Sequence, residues 1–503
     1  MCRSSPTPRQ PTLTEALIPV GALVVFLAGA VLNLNDLPTL VVITSLLSAL
    51  AGLPLVGGVL HASIPVQIPL IAATVVAGLV AWKLGAGWNE IQRGMTDGIM
   101  HALGSILILL IVGILIAVWI ASGVVPMLIV WGLKLMSPEY FLVAACLICA
   151  VVSLVTGSSW TTAGTVGVAL IGVAQGLGVS LAMAAGAIIS GAYFGDKMSP
   201  LSETTNLAPG VVGVDLFQHI RHMVFTTCPS LLIALVLYAI LGWGQSDGAS
   251  EVGELNGFIS GIEATTQFSV WLLIPPLLVL ALVMFKVPAL PALVAGVVAG
   301  GLAAVALQGI GIADLLLISY DGFASSSGNA AVDDLLTRGG MSSMYGTVGI
   351  VVCALAFGSV MEHSGMLARL AESILRIAKT RGGLVASTLG TSFAINAVAA
   401  DQYLAIVVPG RMFRPAFERM GLHPKNLSRC LEDGGTITSP LIPWNSCGAY
   451  MFATLGVFPL AYLPFAFLNL INPLISLVYG YTGWTITSAD KESTSSSVDE
   501  SEL

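Results

Sequence analysis

Runs of roughly 20 apolar residues, each long enough to cross the core of a bilayer, recur along this chain from end to end. They fall at about 16–34, 39–60, 66–82, 99–122, 139–155, 163–194, 223–242, 269–285, 287–307, 343–361, 384–400, 402–416, 436–455 and 457–479. Only 9% of the 503 residues are charged, while 56% are hydrophobic. A soluble domain carries about 25% charged residues, so polar surface is too scarce here to cover a water-soluble core. The chain is therefore expected to be an all-α polytopic membrane protein. Several runs are short or interrupted by Gly and Pro, so not every one is a simple span.

The same scarcity of charge removes other classes. No basic cluster could follow a phosphate backbone, so nucleic acid is not an expected partner. Seven scattered cysteines form no disulfide framework. Cys146 and Cys149 have CxxC spacing inside the apolar run 141–155, where thiols act as small hydrophobes. No phosphate loop, nucleophile elbow or zinc motif is present, which argues against an enzyme, an ATP-driven pump or a permanently bound cofactor. His219 and His222 lie on the amphipathic stretch 215–222 and are expected on a solvated face. Trp119 and Trp131 are expected as interfacial anchors. Arg3 and Arg9 precede the first apolar run, which continues to about Leu34, longer than a signal core, so it is expected to be a retained span.

Charge distribution orients the chain. The connections 244–268 and 308–338 are acidic, with Arg338 their only basic residue. Arg369, Arg376, Lys379 and Arg381 form one basic group, and Arg411, Arg414, Arg419, Lys425 and Arg429 another. By the positive-inside rule the basic stretches are cytoplasmic and the acidic connections external. Both flanks of 383–410 are basic, so this stretch enters and leaves on one side, as a re-entrant hairpin. Backbone that turns at membrane depth is tolerated only where protein buries it or where it lines a cavity.

Three anchors repeat in the same order. Arg93-Gly94-Met95 recurs as Arg338-Gly339-Gly340-Met341, Ser122-Gly123 as Ser364-Gly365, and Ser199-Pro200-Leu201 as Ser439-Pro440-Leu441, at offsets of 245, 242 and 240 residues. The first copy starts inside and the second after an external connection, so the halves are inverted, an architecture that places a transport site at the repeat interface. The expected division is 1–65 for the tail and first apolar segments, 66–245 and 269–480 for the two repeats, 246–268 for an external loop, and 481–503 for an acidic, Ser-rich tail.

Two stretches combine helix breakers with polar groups, 195–209 and 432–445. Proline interrupts each helix, and the freed carbonyls and half-helix ends become ligands for small ions. Asp196, Ser199, Ser202 and Asn206 are candidates in the first, and Glu432, Asp433, Thr436, Ser439 and Asn445 in the second. Each stretch follows a hairpin candidate, 156–165 with Ser158, Ser159 and Thr161, and 391–396 with Asn396 followed by Asp401. Carboxylate, hydroxyl and amide oxygens are the hard ligands that Na⁺ accepts, by analogy with other hard cations. Asp196, Asp433, Ser158 and Asn396 are the preferred Na⁺ ligands. The alternative for these groups is ordinary loop polarity or helix packing by small hydroxyl residues.

The run AIISGAYFGDKMSPLSETTNLAP at 187–209 resembles the signature of the NhaC-type sodium/proton antiporters. GSSW at 157–160, LSRCLED at 427–433 and PWNSCG at 443–448 match it further, and the likeness extends over about 82–472. The apolar stretch 39–60 departs from the shorter N-terminus of that family. The resemblance implies an ion-transporter fold of two inverted repeats with hairpins and broken helices. It implies alternating-access exchange of Na⁺ for H⁺, and in some members exchange of small organic anions such as malate and lactate. An organic-anion or amino-acid exchanger stays open as the rival: a carboxylate substrate would want a paired positive charge, Lys197 is the only basic residue in either stretch, and the hairpin N-termini could supply partial charge instead. The expected setting is the inner membrane of a prokaryote, in contact with lipid, with a homodimer left open.

Overall fold

A computed structural model describes residues 9–31, 65–243, 252–376 and 378–489. The apolar stretch 39–60 and most of the Ser-rich tail lie outside the described residues. The described chain is helical, with no β-structure beyond the isolated bridges Phe323–Arg338 and Leu422–Ser488. Among the described residues, five helices are long and apolar enough to cross a membrane, or up to seven if each of two bent helix pairs counts as one span. The acidic connections are not simply loops: they contain the helices Val252–Thr265, Ile312–Asp321 and Ala330–Leu336.

The two halves share an order of elements. Leu103–Ala121 turns through Ser122-Gly123 into Val124–Leu135, and Tyr345–His363 turns through Ser364-Gly365 into Met366–Leu375. Gly123 and Gly365 have φ of 90° and 75°, the left-handed conformation that glycine adopts without penalty. A helix then leads to a buried turn, a second helix returns, and a third runs to the Ser-Pro-Leu break. These are Pro138–Thr156, Ser159–Gly176 and Leu181–Met198 in the first half, and Arg381–Val398, Leu404–Arg419 and 424–436 in the second. The Arg-Gly-Met anchor does not correspond: Arg93 and Gly94 lie within the helix Trp88–His101, whereas Gly339 and Gly340 form a left-handed turn at φ 83° and 85°.

The stretch 94–117, which includes most of Leu103–Ala121, runs opposite in direction to 339–363, which contains its equivalent Tyr345–His363. Gly94 faces the His363 ring and Gly98 faces Ser359, while Gly113 and Ala117 meet Gly340 and Gly339 at the other end. The Gly340 N–H donates to the Gly113 carbonyl at 2.8 Å. Ascending one stretch is descending the other.

Close packing within each half rests on missing side chains, because helix association in lipid gains little from apolar burial. Gly191 lies on the Cys146 carbonyl and Gly195 on the Ala150 carbonyl, so Leu181–Met198 runs parallel to Pro138–Thr156 in direct backbone contact. Gly434 packs against Leu389 and Ser392 in the second half, and Gly435 against the Ala405 carbonyl. Apolar side chains of Leu216–Trp243, such as Leu232, Val236 and Ile240, face outward to lipid.

Polar-face periodicity misleads in such a chain. His219 and His222 are buried, not solvated, and His219 Nδ1 bonds the Ser428 hydroxyl at 2.8 Å. In a membrane protein the polar face of a helix turns toward the protein interior, where partners exist. Trp119 is likewise no interfacial anchor. It is 2% exposed and donates its indole N–H to the Gly296 carbonyl at 3.0 Å.

Candidate functional site

The two broken helices cross antiparallel at the centre of the molecule. Tyr193 lies opposite Ser439, and four residues later Lys197 meets Asp433. Both members of the Lys197–Asp433 ion pair are fully buried. Lys197 also donates to Asn472 Oδ1 at 2.9 Å, and the Thr226 hydroxyl donates to Asp433 Oδ1 at 3.2 Å. Arg429, fully buried one turn before Asp433, brings Nε to 4.0 Å from its other oxygen. Asp433 is therefore held between two cations.

Asp196 sits differently. It lies in the last turn of the helix Leu181–Met198 and is 7% exposed. Its Oδ2 accepts from the Ser159 N–H at 3.1 Å and from the Ser159 hydroxyl at 2.6 Å, both from the first hairpin's tip. The carbonyls freed at the break are partly used, since the Thr205 hydroxyl donates to those of Asp196 and Lys197 at 3.1 and 3.0 Å.

Ser158 is half-buried, and its oxygen accepts from the Thr161 N–H and hydroxyl, each at 3.1 Å, capping the returning helix. In the second half Asp401, two residues before Tyr403, the N-cap residue of Leu404–Arg419, accepts from the Leu404 N–H at 2.9 Å. The two side chain-to-backbone bonds lie in corresponding turns. Ser199 and Ser202 are buried and bond within the first break, to the N–H groups of Leu201 and Thr205. Asn206 is exposed and donates to the carbonyls of Pro200 and Ser202.

In the second half Asn396 donates to the Gly435 carbonyl at 2.5 Å and to Thr438 at 3.1 Å, and Asn445 donates to both Asn396 oxygens at 3.1 Å. The second hairpin is thus stapled to the second break. Ser439 donates to the Thr436 carbonyl and to Gln402.

Glu432 and Thr436 are fully buried, one turn apart on a π-helical turn. Neither Glu432 oxygen nor the Thr436 hydroxyl has a hydrogen-bond partner, and the neighbouring Ser392 hydroxyl lacks one too. Buried oxygens without donors are costly, and a cation or a proton satisfies them. Asp196 beside Ser159 and Glu432 one turn from Thr436 are thus buried carboxylates outside the Lys197–Asp433 pair. Sequence spacing missed Thr226, Asn472 and Gln402, which carry no local signal, and Tyr193, which lies within the 187–209 run. Arg429, four residues before Asp433 in LSRCLED, was legible as an i, i+4 partner.

Two further contacts bracket the crossing. Trp160 stacks on Tyr450 with ring centroids 4.1 Å apart, and the Tyr450 hydroxyl donates to the Trp160 carbonyl at 2.7 Å. The helix Ser446–Leu455 leads from there to Gly456, beneath the Arg338 guanidinium of the acidic connection. At the opposite end the Tyr403 hydroxyl donates to Glu203 at 2.5 Å, and Glu203–Val212 leads to Gly213 near Arg414 of the basic group. The first contact is mostly buried, whereas Pro200, Leu201, Glu203 and Asn206 on the other side are exposed.

Inverted helices with paired buried turns, broken at a shared polar crossing, define a secondary transporter. A family model described as the Na⁺/H⁺ antiporter family matches residues 191–484. The chain is 43% identical to the Na⁺/H⁺ antiporter NhaC of Alkalihalophilus pseudofirmus, over 83% of this chain and 90% of that protein. It is 37% identical to the arginine/ornithine antiporter ArcD of Halobacterium salinarum, over 96% of this chain and 95% of that protein. It is 36% identical to a malate-2H⁺/Na⁺-lactate antiporter of Bacillus subtilis, over 84% and 90%. The chain belongs to the Na⁺/H⁺ antiporter family.

Proposed function

We propose that this protein exchanges Na⁺ for H⁺ across the plasma membrane of a prokaryote by alternating access, with Asp196 as the carboxylate that takes Na⁺ and H⁺ in turn. One observation carries the choice of cations. Around the crossing the buried carboxylates Asp196, Asp401, Glu432 and Asp433 outnumber the buried cations Lys197 and Arg429. An uncompensated buried charge is strongly disfavoured, so the excess negative charge calls for bound cations. A carboxylate substrate would add to that excess. The one basic residue at the breaks, Lys197, is already engaged by Asp433 and Asn472.

Proton and Na⁺ compete for the Asp196 carboxylate, and exchange follows if the occupied site reorients while the empty, charged one does not. The Trp160–Tyr450 contact closes one approach and the Tyr403–Glu203 contact lies on the other. Purified protein in liposomes, given an imposed Na⁺ gradient, should move protons without any organic substrate. Movement only after malate, lactate, arginine or ornithine is added would favour the exchange named for the relatives.

A further inference from the structure

We infer that the cavity between the start of Leu216–Trp243, Lys425 and the segment 485–487 is a binding site for the headgroup of an anionic phospholipid. The cavity has a volume of about 610 Å³ and opens at the basic end of the molecule. Among the described residues that line it, Arg221 and Lys425 are opposed by one carboxylate, Asp215, so their charge favours an anion. His222 also lines it. Its side chain is 5% exposed, and its Nε2 has no hydrogen-bond partner. A buried ring nitrogen without a partner at the wall of a basic cavity points to a polar ligand there.

The surroundings select a lipid rather than a free anion. Phe217 and Phe225 form part of the same wall and are 60% and 51% exposed. From Phe225 the outward face of the helix continues through Leu232, Val236 and Ile240, all exposed. A phosphate held by Arg221 and Lys425 would have acyl chains lying along that face. Basic pockets between membrane helices on the cytoplasmic side take anionic headgroups in this way, and the basic end is cytoplasmic by the positive-inside rule.

The position gives the lipid influence on transport. Thr226 follows His222 by one turn and donates to Asp433, and Arg429 follows Lys425 by one turn and lies 4.0 Å from the same carboxylate. A headgroup in the cavity therefore rests on both helices that hold the Lys197–Asp433 pair.

Native mass spectrometry of the full-length protein in detergent tests the inference, with titrations of dioleoyl phosphatidylglycerol, dioleoyl phosphatidylcholine and inorganic phosphate. The expected result is at least tenfold tighter binding of phosphatidylglycerol than of phosphatidylcholine. That preference should fall at least fivefold in Arg221→Gln and vanish in Arg221→Gln/Lys425→Gln. It should persist in Arg376→Gln, a basic residue away from the cavity. Equal binding of the two lipids, or an unchanged preference in the exposed single variant Arg221→Gln, overturns it. Displacement of phosphatidylglycerol by inorganic phosphate alone would make this a free-anion site and also overturns it.

Discussion

Lys197 and Asp433, contributed by opposite halves of the chain, form a fully buried ion pair where the two broken helices cross. Breaking such a pair from one side strands a charge, which costs about 3–5 kcal/mol, whereas replacing both partners with apolar groups costs far less. Lys197→Met should therefore lower thermal stability in detergent sharply. Arg429 also faces Asp433, so Lys197→Met/Asp433→Leu would strand that second cation, and the variant Lys197→Met/Arg429→Met/Asp433→Leu should recover most of the loss. A triple variant as unstable as Lys197→Met would mean that the pair does not join the halves energetically.

The hairpin turns offer a second comparison. Gly157 has φ 66°, and a Cβ there would lie 2.7–2.9 Å from Leu201 and the Ser202 nitrogen at the first break. Ala400, in the corresponding turn, has φ 56° and is buried, and its carbonyl accepts from the Ser446 N–H at 3.0 Å. Gly157→Ala should cost roughly 1–3 kcal/mol through strain and displacement of the break. Ala400→Gly should change stability by under about 1 kcal/mol, relief of strain offsetting the added freedom of the unfolded chain. Thermal unfolding of both variants checks the asymmetry.

Ser159 and Ser158 separate ligand from cap. Ser159 donates twice to Asp196, and Ser158 only caps its own helix. A hydrogen bond to a charged group contributes about 1.5–3 kcal/mol, so Ser159→Ala should change apparent Na⁺ affinity roughly tenfold or more. Ser158→Ala should leave Na⁺ affinity within about threefold while lowering stability by about 1 kcal/mol. Titrations of Na⁺-driven proton uptake in liposomes distinguish the two.

Much of this arrangement was legible in the sequence because its signals are local. Pro200 and Pro440 break helices wherever they fall, and Gly123 and Gly365 mark turns. The polar stretches around Asp196 and Glu432 stand out against an apolar background. What was not legible depends on the crossing. Lys197 and Asp433 are 236 residues apart and meet only because two helices run antiparallel. Thr226 and Asn472 reach that pair from helices whose sequences read as plain spans. His219 lies on a polar face that turns to the protein interior because lipid is the solvent, and Trp119, near a helix end in the sequence, is instead buried against Gly296 of a helix 177 residues away.

The stack of Trp160 on Tyr450 should act as a seal. Trp160→Ala removes the ring and leaves the Tyr450 hydroxyl with its backbone acceptor. Proton leak across liposomes without Na⁺ should then rise at least tenfold over wild type, with Na⁺-driven exchange reduced. Leak at the wild-type level would remove the stack from the gating account.

The central claim is that Na⁺ and H⁺ compete for one carboxylate, and Asp196→Asn tests it most directly. An amide of the same shape keeps the packing but neither titrates nor balances a cation. Proton movement should be followed in liposomes under an imposed Na⁺ gradient across a range of pH. The wild-type protein should show apparent Na⁺ affinity that weakens as pH falls, with its maximal rate at saturating Na⁺ nearly constant. Asp196→Asn should insert and fold yet move no protons in response to Na⁺. Exchange by Asp196→Asn at near wild-type rate, with the same pH dependence, would contradict the account and move the competition to Glu432.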